Sequence, residues 1–189
     1  MSKDRIKETA VRHFNLYGYE GVRMAQIAED AGIRKQSLSY HYPSKKELLL
    51  ELFRETLDAE ISFVQNYFAS RTGAAWDELL HQFLIEHKNR FVNSPNTHFM
   101  FKISFFTVAE IHDSILAGFR SYLDSLRSEV TRVFAESGAA RMTPEECTVA
   151  YMTLMDGLDV QLVYETVQLY EQALRIGWKS LLYGISTAQ

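Results

Sequence analysis

The chain has 189 residues, of which 47% are hydrophobic and 23% are charged, and its formal net charge is −4 at pH 7. This length and composition are ordinary for a globular protein of one average domain, or of one small and one medium domain. The single cysteine, Cys147, excludes an intramolecular disulfide framework, and no CxxC or HExxH spacing indicates a structural zinc site. We therefore expect no metal and no cofactor, and a reducing, cytoplasmic location.

The N-terminal segment MSKDRIKETAVRHF is charged from its third residue and lacks the apolar stretch of a signal peptide. No later segment approaches the uninterrupted apolar length that a membrane span needs. We therefore expect a protein that is neither exported nor integral to a membrane.

Charge is distributed unevenly along the chain. Residues 1–54 contain ten Lys or Arg against seven Asp or Glu, whereas residues 55–189 contain ten against seventeen. The sign of the net charge therefore changes along the chain, and only the N-terminal quarter is suited to an anionic partner. This modest positive balance permits nucleic-acid binding but does not identify it.

Apolar residues recur at helical spacing along almost the whole chain, with almost no period-two alternation, which predicts an all-α fold of about nine helices. Gly18 is expected to end the first helix, and Gly32 is expected to turn the chain between the second and the third. Ser44 and Glu47 form a predicted capping box before the fourth helix. The predicted helices span about 3–17, 24–31, 35–40, 45 to beyond 63, 74–92, 96–108, 112–136 and two segments of 144–184 that are separated near 164–168.

Three residues of the N-terminal quarter have helix-turn-helix spacing. The small Ala28 permits close approach of a following helix, Gly32 lies in the turn, and Leu38 anchors the next helix. In a helix-turn-helix, the second helix enters the major groove of DNA. The same three residues also fit any helical hairpin, so their spacing alone leaves both interpretations open.

The side chains around this spacing favour DNA. Arg34, Lys35, Gln36 and Ser37 open the predicted recognition helix, and Arg and Gln can read guanine and adenine through paired hydrogen bonds. Tyr40 and His41, at the end of that helix, carry groups that can donate to phosphates, whereas Tyr42 is expected to turn inward.

Lys45 and Lys46 lie in the first turn of the predicted fourth helix, where the helix dipole disfavours cations. A phosphate would reverse that preference, because the free N–H groups of the helix start and the two ammonium groups would attract it together. Two solvated surface lysines remain the alternative interpretation.

The run AVRHFNLYGYEGVRMAQIAEDAGIRKQSLSYHYPSKKELL resembles the DNA-binding region of TetR-type (tetracycline-repressor-like) transcriptional regulators. The matching features are the aromatic-Gly-Tyr end of the first helix, IAEDAG, Leu38 and the YHYPSKKEL exit. The resemblance covers about the first quarter of the chain. It implies a helix-turn-helix DNA-binding domain over 1–45 and a helical ligand-binding and dimerisation domain over 46–189. It also implies a homodimeric repressor that reads a pseudo-palindromic operator on double-stranded DNA until a small hydrophobic ligand releases it.

The sequence departs from the family pattern at three positions. Arg23 lies where a capping Thr is common, and although it cannot accept the cap bond, it can reach a phosphate. Arg34 replaces a frequent Ser, and Ser39 replaces a frequent Tyr, so operator preference should not be copied from relatives. The predicted DNA contacts are Arg23, Arg34, Lys35, Gln36, Ser37, Ser39, Tyr40, His41, Lys45 and Lys46.

The C-terminal segment begins with a strong helix start, in which Thr143 is the cap, Pro144 the first helical residue and Glu146 the partner of a capping box. In the family, the last two helices pair with those of a second copy, and LMDGLDVQLV resembles that region, where Gly157 would allow close approach. An intrachain core is the alternative, and we expect a mixed role. The predicted dimerisation residues are Leu158, Leu162, Leu174, Trp178 and Leu181.

The middle of the chain is rich in aromatic residues, most densely in HFMFKISFF. This density could line an apolar ligand cavity or form an ordinary core, and for any single aromatic side chain packing is the better interpretation. The predicted ligand contacts are Phe83, His87, Phe91, Phe99, Phe105, Tyr122, Leu126, Tyr151 and Met155.

The sequence gives no support for catalysis. The six histidines do not form the ligand pairs of di-iron bundles, and there is no Gly-rich phosphate loop and no GxSxG motif. We therefore expect a DNA-binding regulator and not an enzyme. The alternative is a ligand-binding helical module whose basic N-terminus binds a protein partner.

Overall fold

The computed structural model describes residues 3–138 and 141–185, so the ends of the two predicted domains, residues 1–2 and 186–189, lie outside the described residues. The described residues form nine α-helices and no strand, which confirms the predicted all-α fold. The helices are α1 (Lys3–Gly21), α2 (Met24–Asp30), α3 (Lys35–His41), α4 (Lys45–Ala69), α5 (Trp76–Asn93), α6 (Pro95–Phe105), α7 (His112–Ser137), α8 (Pro144–Tyr164) and α9 (Val167–Ile185).

Local side chains fix several helix starts. The Thr143 hydroxyl accepts a hydrogen bond from the Glu146 backbone N–H at 3.2 Å, and the Glu146 carboxylate accepts one from the Thr143 N–H at 2.8 Å. This is the capping box predicted for α8. At the start of α4, the Ser44 hydroxyl accepts from the Glu47 N–H at 3.1 Å. These starts were predictable because every partner lies within three residues along the chain.

Gly18 and Gly32 adopt backbone angles that residues with a side chain avoid. Gly32 has a φ of 70° in the turn between α2 and α3, as expected. Gly18 has a φ of 64° and interrupts α1, but a further helical turn follows and α1 ends at Gly21. The predicted end of the first helix at residue 17 is therefore the position of a kink and not of a stop.

The chain divides into two compact units, each built from two segments. The first unit comprises Met1–Glu60 and Val92–Ser121, and the second comprises Ile61–Phe91 and Tyr122–Gln189. The first unit therefore combines α1–α3 with the beginning of α4 and with α6. The second contains α5, α8 and α9.

Within the first unit, α6 is joined to α1. The rings of Phe14 and Phe99 lie 5.7 Å apart between centroids, in the buried interior. The Lys102 ammonium donates to the Asn15 carbonyl at 2.7 Å, and the Asn15 amide donates to the Pro95 carbonyl at 2.9 Å. Apolar packing and polar contacts therefore both fix α1 against α6.

Within the second unit, α8 and α9 approach each other closely at Gly177. A Cβ atom added there would lie 2.4 Å from Leu154 Cδ1, so a residue with a side chain would force Leu154 to shift. The two helices also pack on α5 through buried tyrosines. The Tyr151 hydroxyl donates to the Leu80 carbonyl at 3.0 Å, and the Tyr170 hydroxyl donates to the Leu84 carbonyl at 2.7 Å.

A buried polar pair also joins α5 to α8. His87 Nε2 lies 2.6 Å from Asp159 Oδ1, and each residue is only 3% exposed. Removal of either partner would leave the other side chain buried without its closest hydrogen bond, which is costly in a low-dielectric interior. The pair therefore fixes the register of the two helices.

We expect Asp159→Ala to lower the free energy of unfolding by about 3 kcal/mol, because His87 would lose its buried partner. Urea unfolding followed by circular dichroism measures this. Asp156→Ala is the matched control, since Asp156 is an exposed residue of the same helix and should change the free energy by less than about 0.5 kcal/mol. Equal losses in the two variants would contradict a stabilising role for the pair.

Candidate DNA-binding interface

The helix α3 has one buried residue, Leu38, which is 0% exposed. A helix that is polar almost all round and anchored by a single apolar residue contributes little to a core and offers most of its surface to a partner. The six exposed residues of α3 were all predicted DNA contacts, and they are Lys35, Gln36, Ser37, Ser39, Tyr40 and His41.

The elements around α3 have the predicted helix-turn-helix arrangement. The helix α2 packs against both α1 and α3. Ala28 is 2% exposed, and its carbonyl accepts a hydrogen bond from the Ile33 N–H at 2.9 Å, which closes the turn around Gly32. Leu38 then fills the small core together with Tyr42, which points inward as expected and is 1% exposed. These contacts hold α3 as an exposed ridge.

Both short helices of the motif begin at an arginine. Arg23 is the N-cap of α2 and Arg34 the N-cap of α3, and neither start has a side-chain cap hydrogen bond. Both arginines are exposed. A phosphate oxygen could accept from the N–H groups of such a start while the guanidinium group binds the same anion. The absence of a capping side chain therefore favours an anionic partner at these positions.

The paired lysines at the start of α4 differ in their surroundings. The Lys45 ammonium donates to the carbonyls of Val22 at 3.3 Å and Glu20 at 3.4 Å, and it lies 4.4 Å from the centre of the Tyr19 ring. Its charge is therefore stabilised at the C-terminal end of α1, where the helix dipole favours a cation. Sequence reasoning missed this role because the carbonyls are more than twenty residues away along the chain.

Lys46 has no hydrogen bond or ion pair within the residues that the structure describes, and it is half-buried. Of the two lysines, it is therefore the one whose ammonium group is free for a phosphate. The DNA contact predicted for Lys45 stays a prediction, and the structure adds its role in stabilising the end of α1.

Two tyrosine hydroxyls near this surface are paired with carboxylates. Burial and the Glu110 carboxylate, at 2.8 Å, raise the pKa of Tyr19 to about 12. Burial and the Glu51 carboxylate, at 3.1 Å, raise the pKa of Tyr42 to about 12. Both hydroxyls therefore stay protonated near neutral pH and donate to their partners, which fixes the ends of α1 and α3.

A further contact that the sequence did not reveal fixes α2. His13 Nε2 lies 2.7 Å from Asp30 Oδ2, and the Arg12 guanidinium lies 3.5 Å from the same oxygen. Asp30 is the last residue of α2, where the helix dipole disfavours an acid. The Arg12 guanidinium offsets that effect, and the two contacts together hold α2 in place.

The predicted ligand contacts do not all lie in one unit. Phe99 and Phe105 belong to the first unit, and the other seven belong to the second. All are buried except Phe105, which is half-buried.

In the second unit, the Phe83 and His87 rings lie 6.3 Å apart. The buried Asp159 lies beside His87, but it was not among the predicted ligand contacts. Asp159 could have been recognised in the sequence as an acidic residue on the apolar stripe of α8, three residues before Leu162. The role of these residues in ligand binding stays a prediction.

Four of the five predicted dimerisation residues are buried within the chain itself, and Leu181 is half-buried. Their role in dimerisation stays a prediction. The exposed large apolar residues of the last two helices are Val149, Val160, Tyr164, Leu169, Ile176 and Tyr183.

The described part of the chain contains no group of three or more His, Cys, Asp or Glu side chains arranged to hold a metal ion. Within residues 3–138 and 141–185, every helix is too short or too polar to cross a membrane.

We expect Lys45→Ala to lower the free energy of unfolding by about 1 kcal/mol, because it removes two hydrogen bonds and a cation–π contact at the end of α1. Lys46→Ala, one residue along the same helix, should change it by less than about 0.5 kcal/mol. Chemical denaturation of the two variants in parallel measures the difference. If both variants have the stability of the parent protein, the Lys45 contacts do not stabilise the end of α1.

Residues 6–52, which include the whole helix-turn-helix, match the family of bacterial regulatory proteins called tetR. The HTH-type transcriptional regulator RutR of Escherichia coli (strain K12) is 41% identical over 56 residues, which are 30% of this chain and 26% of RutR. The chain thus spans about a quarter of the length of RutR. The negative regulator IcaR of the biofilm operon icaADBC in Staphylococcus aureus (strain Newman) is 26% identical over 147 residues, which are 76% of this chain and 75% of IcaR.

The similarity of fold extends over almost the whole chain. The crystal structure of the transcriptional regulator FadR from Bacillus subtilis in complex with stearoyl-CoA superposes with a TM-score of 0.70 at 17% identity, and the match covers 93% of this chain and 97% of FadR. At this identity the likeness shows the fold alone. The matched N-terminal segment and its observed helix-turn-helix are therefore those of the tetR family of bacterial regulatory proteins, and the all-helical fold of the described residues agrees with them.

Proposed function

We propose that the protein is a transcriptional regulator that binds double-stranded DNA through α3 and acts as a homodimer. The observation that carries the proposal is the exposed polar surface of α3 around the single buried Leu38, within the segment that matches the family. A surface of Lys, Gln, Ser, Tyr and His side chains on a short helix matches the groups that read base edges and phosphates.

Ion pairing within the first unit supports the same surface. Lys7 is paired with Glu51 and Glu55, and Arg12 is paired with Asp30, so these cations are neutralised by the protein itself. By contrast, the cations at the starts of α2, α3 and α4 have no ion pair within the described residues, and these are Arg23, Arg34, Lys35 and Lys46. These helix starts therefore carry positive charge that the protein does not neutralise and that phosphates could bind.

A gel-shift titration on palindromic fragments selected from genomic DNA tests this function. Each phosphate contact should contribute about 0.9 to the slope of log affinity against log salt concentration. Lys46→Ala should weaken binding to all sequences alike and reduce the slope by about 1, whereas Gln36→Ala should change which sequence is preferred. Arg127→Ala is the control, because Arg127 is an exposed cation of the second unit that pairs with Asp124.

Binding that does not depend on salt, or variants at Gln36 and Lys46 that bind every sequence like the parent protein, would refute this assignment. Capture of a protein partner through the same residues, without any DNA binding, would favour the alternative in which the basic N-terminus binds a protein.

The homodimer is supported by an apolar surface on α8 and α9. Along α8, Val149, Val160 and Tyr164 recur at spacings of eleven and four residues, which places them on one face. Along α9, Leu169, Ile176 and Tyr183 recur every seven residues and likewise share a face. We call these six residues the outer stripe. Apolar side chains exposed in two parallel rows are typical of a helical interface with a second copy.

The two rows of the outer stripe face the same way. Leu154 and Gly177 mark the line where α8 and α9 touch. On each helix, a rotation of about 100° around the helix axis in one direction leads from this line to the outer stripe. A similar rotation in the opposite direction leads to the buried residues. Because the buried residues of both helices face the core of the second unit, both rows lie on the opposite, outer face.

Gly157 marks the point where a second copy could approach most closely. It is exposed on α8 beside Val160, and a Cβ atom added there would have no heavy atom within 4 Å. The fold of the chain itself therefore does not require glycine at this position. A partner helix packed against α8 would require glycine there, because a larger side chain would obstruct its approach.

We expect Gly157→Leu to stabilise α8 within the monomer by about 1 kcal/mol, because leucine has the higher helix propensity. The same substitution should dissociate the dimer, because the larger side chain obstructs the partner helix. Analytical ultracentrifugation measures the oligomeric state and circular dichroism the helix content. Val92→Glu is the control, because Val92 is also an exposed apolar residue (51%) and lies outside the outer stripe. A monomeric parent protein, or a Gly157→Leu variant that remains a dimer, would show that α8 is not the interface.

We propose further that the regulator represses its target and that a small hydrophobic ligand releases it. IcaR is named as a negative transcriptional regulator, which supports repression. The FadR structure contains stearoyl-CoA, which supports a ligand with a long apolar part. Within the second unit, the aromatic interior around Phe83 and Tyr151, with the polar His87–Asp159 pair, is the region where such a ligand would bind.

A further inference from the structure

A groove of about 470 Å³ lies between α5 and α9 on the surface of the second unit. Its floor is formed by Leu174 and Trp178, which are 7% and 8% exposed, and by the half-buried Ile85. The Trp178 ring lies 5.1 Å from the His81 ring, so the floor includes a flat aromatic surface. This size and apolar lining are within the range of small-molecule sites.

The rim of the groove carries positive charge. Lys88, Arg175 and Lys179 line it, and the last two are the only Lys or Arg of α9. Residues 55–189 contain ten basic residues against seventeen acidic ones, so a cluster of three cations here runs against the local composition. An apolar floor with a cationic rim is complementary to a molecule that is apolar at one end and anionic at the other.

The charges on the rim are incompletely compensated by the protein. The Glu171 carboxylate lies 2.7 Å from the Lys88 ammonium. Arg175 and Lys179 are exposed, and neither has an ion pair within the described residues. They are four residues apart on one helix, where like charges repel each other. An anion bound between them would relieve this repulsion.

We propose that this groove binds an amphipathic acid with a hydrocarbon body and a single carboxylate. The hydrocarbon lies on Leu174, Trp178 and Ile85, and the carboxylate pairs with Arg175 and Lys179. The site differs from the proposed interior ligand region, because its cations are on the surface. It also lies away from the outer stripe, since Trp178 and Ile176 are two residues apart and therefore about 200° apart around α9.

The chain has two tryptophans, so Trp76→Phe leaves Trp178 in the floor of the groove as the only indole fluorophore. In this background, decanoate below its micellar concentration should change the Trp178 emission in a saturable manner. Decyltrimethylammonium, which also has a ten-carbon chain but carries the opposite charge, should give no saturable change. Unchanged circular dichroism of each variant confirms that it is folded.

The double variant Arg175→Ala/Lys179→Ala should raise the dissociation constant for decanoate by about tenfold, because two partly exposed charge pairs are lost. Arg127→Ala removes an exposed cation elsewhere in the second unit and should leave the constant unchanged. Equal binding of both amphiphiles would mean apolar adsorption only. Decanoate binding that is unchanged in the double variant would place the ligand elsewhere, for example beside Tyr151, whose ring lies 6.4 Å from that of Trp178. Either result, or no saturable change at all, overturns the proposal.

Discussion

Burial of Leu38 is the contact on which the proposed DNA-binding surface depends. It is the only side chain of α3 that enters the core, so the position of the helix is set by this leucine, by the turn at Gly32 and by the buried Tyr42 at its end. This arrangement leaves six side chains exposed on a helix of seven residues. A longer or more apolar helix would be held more firmly, but it would present fewer groups to a groove.

Charge in the first unit is divided between structure and proposed function. Arg12 with Asp30 and Lys7 with Glu51 join elements of the first unit to one another, and Lys45 stabilises the end of α1. These charges are satisfied within the protein. The arginines at the two uncapped helix starts are not, and a phosphate would satisfy both the guanidinium groups and the free N–H groups of the helices. The same composition thus supports a stable motif and an anion-binding surface.

In the second unit, α9 has several faces with different surroundings. Tyr170 and Leu174 pack inward, Gly177 lies against α8, and Ile176 faces outward. Arg175 and Lys179 lie at the rim of the groove. The helix can therefore contribute at once to the core, to the proposed interface with a second copy and to the cationic groove. Its regular rotation of about 100° per residue is what separates these roles.

The features that could be predicted from the sequence are those whose partners are close along the chain. Thr143 with Glu146, the left-handed Gly32 and the helix-turn-helix spacing of Ala28 and Leu38 were all predictable, because each depends on a few neighbouring residues. The tertiary structure alone decided the rest. Leu174 and Ile176 are both apolar residues of one predicted helix, but only the fold shows that the first is buried and the second is exposed. The carbonyl partners of Lys45 and the His87 partner of Asp159 are likewise brought together by packing, which no local pattern encodes.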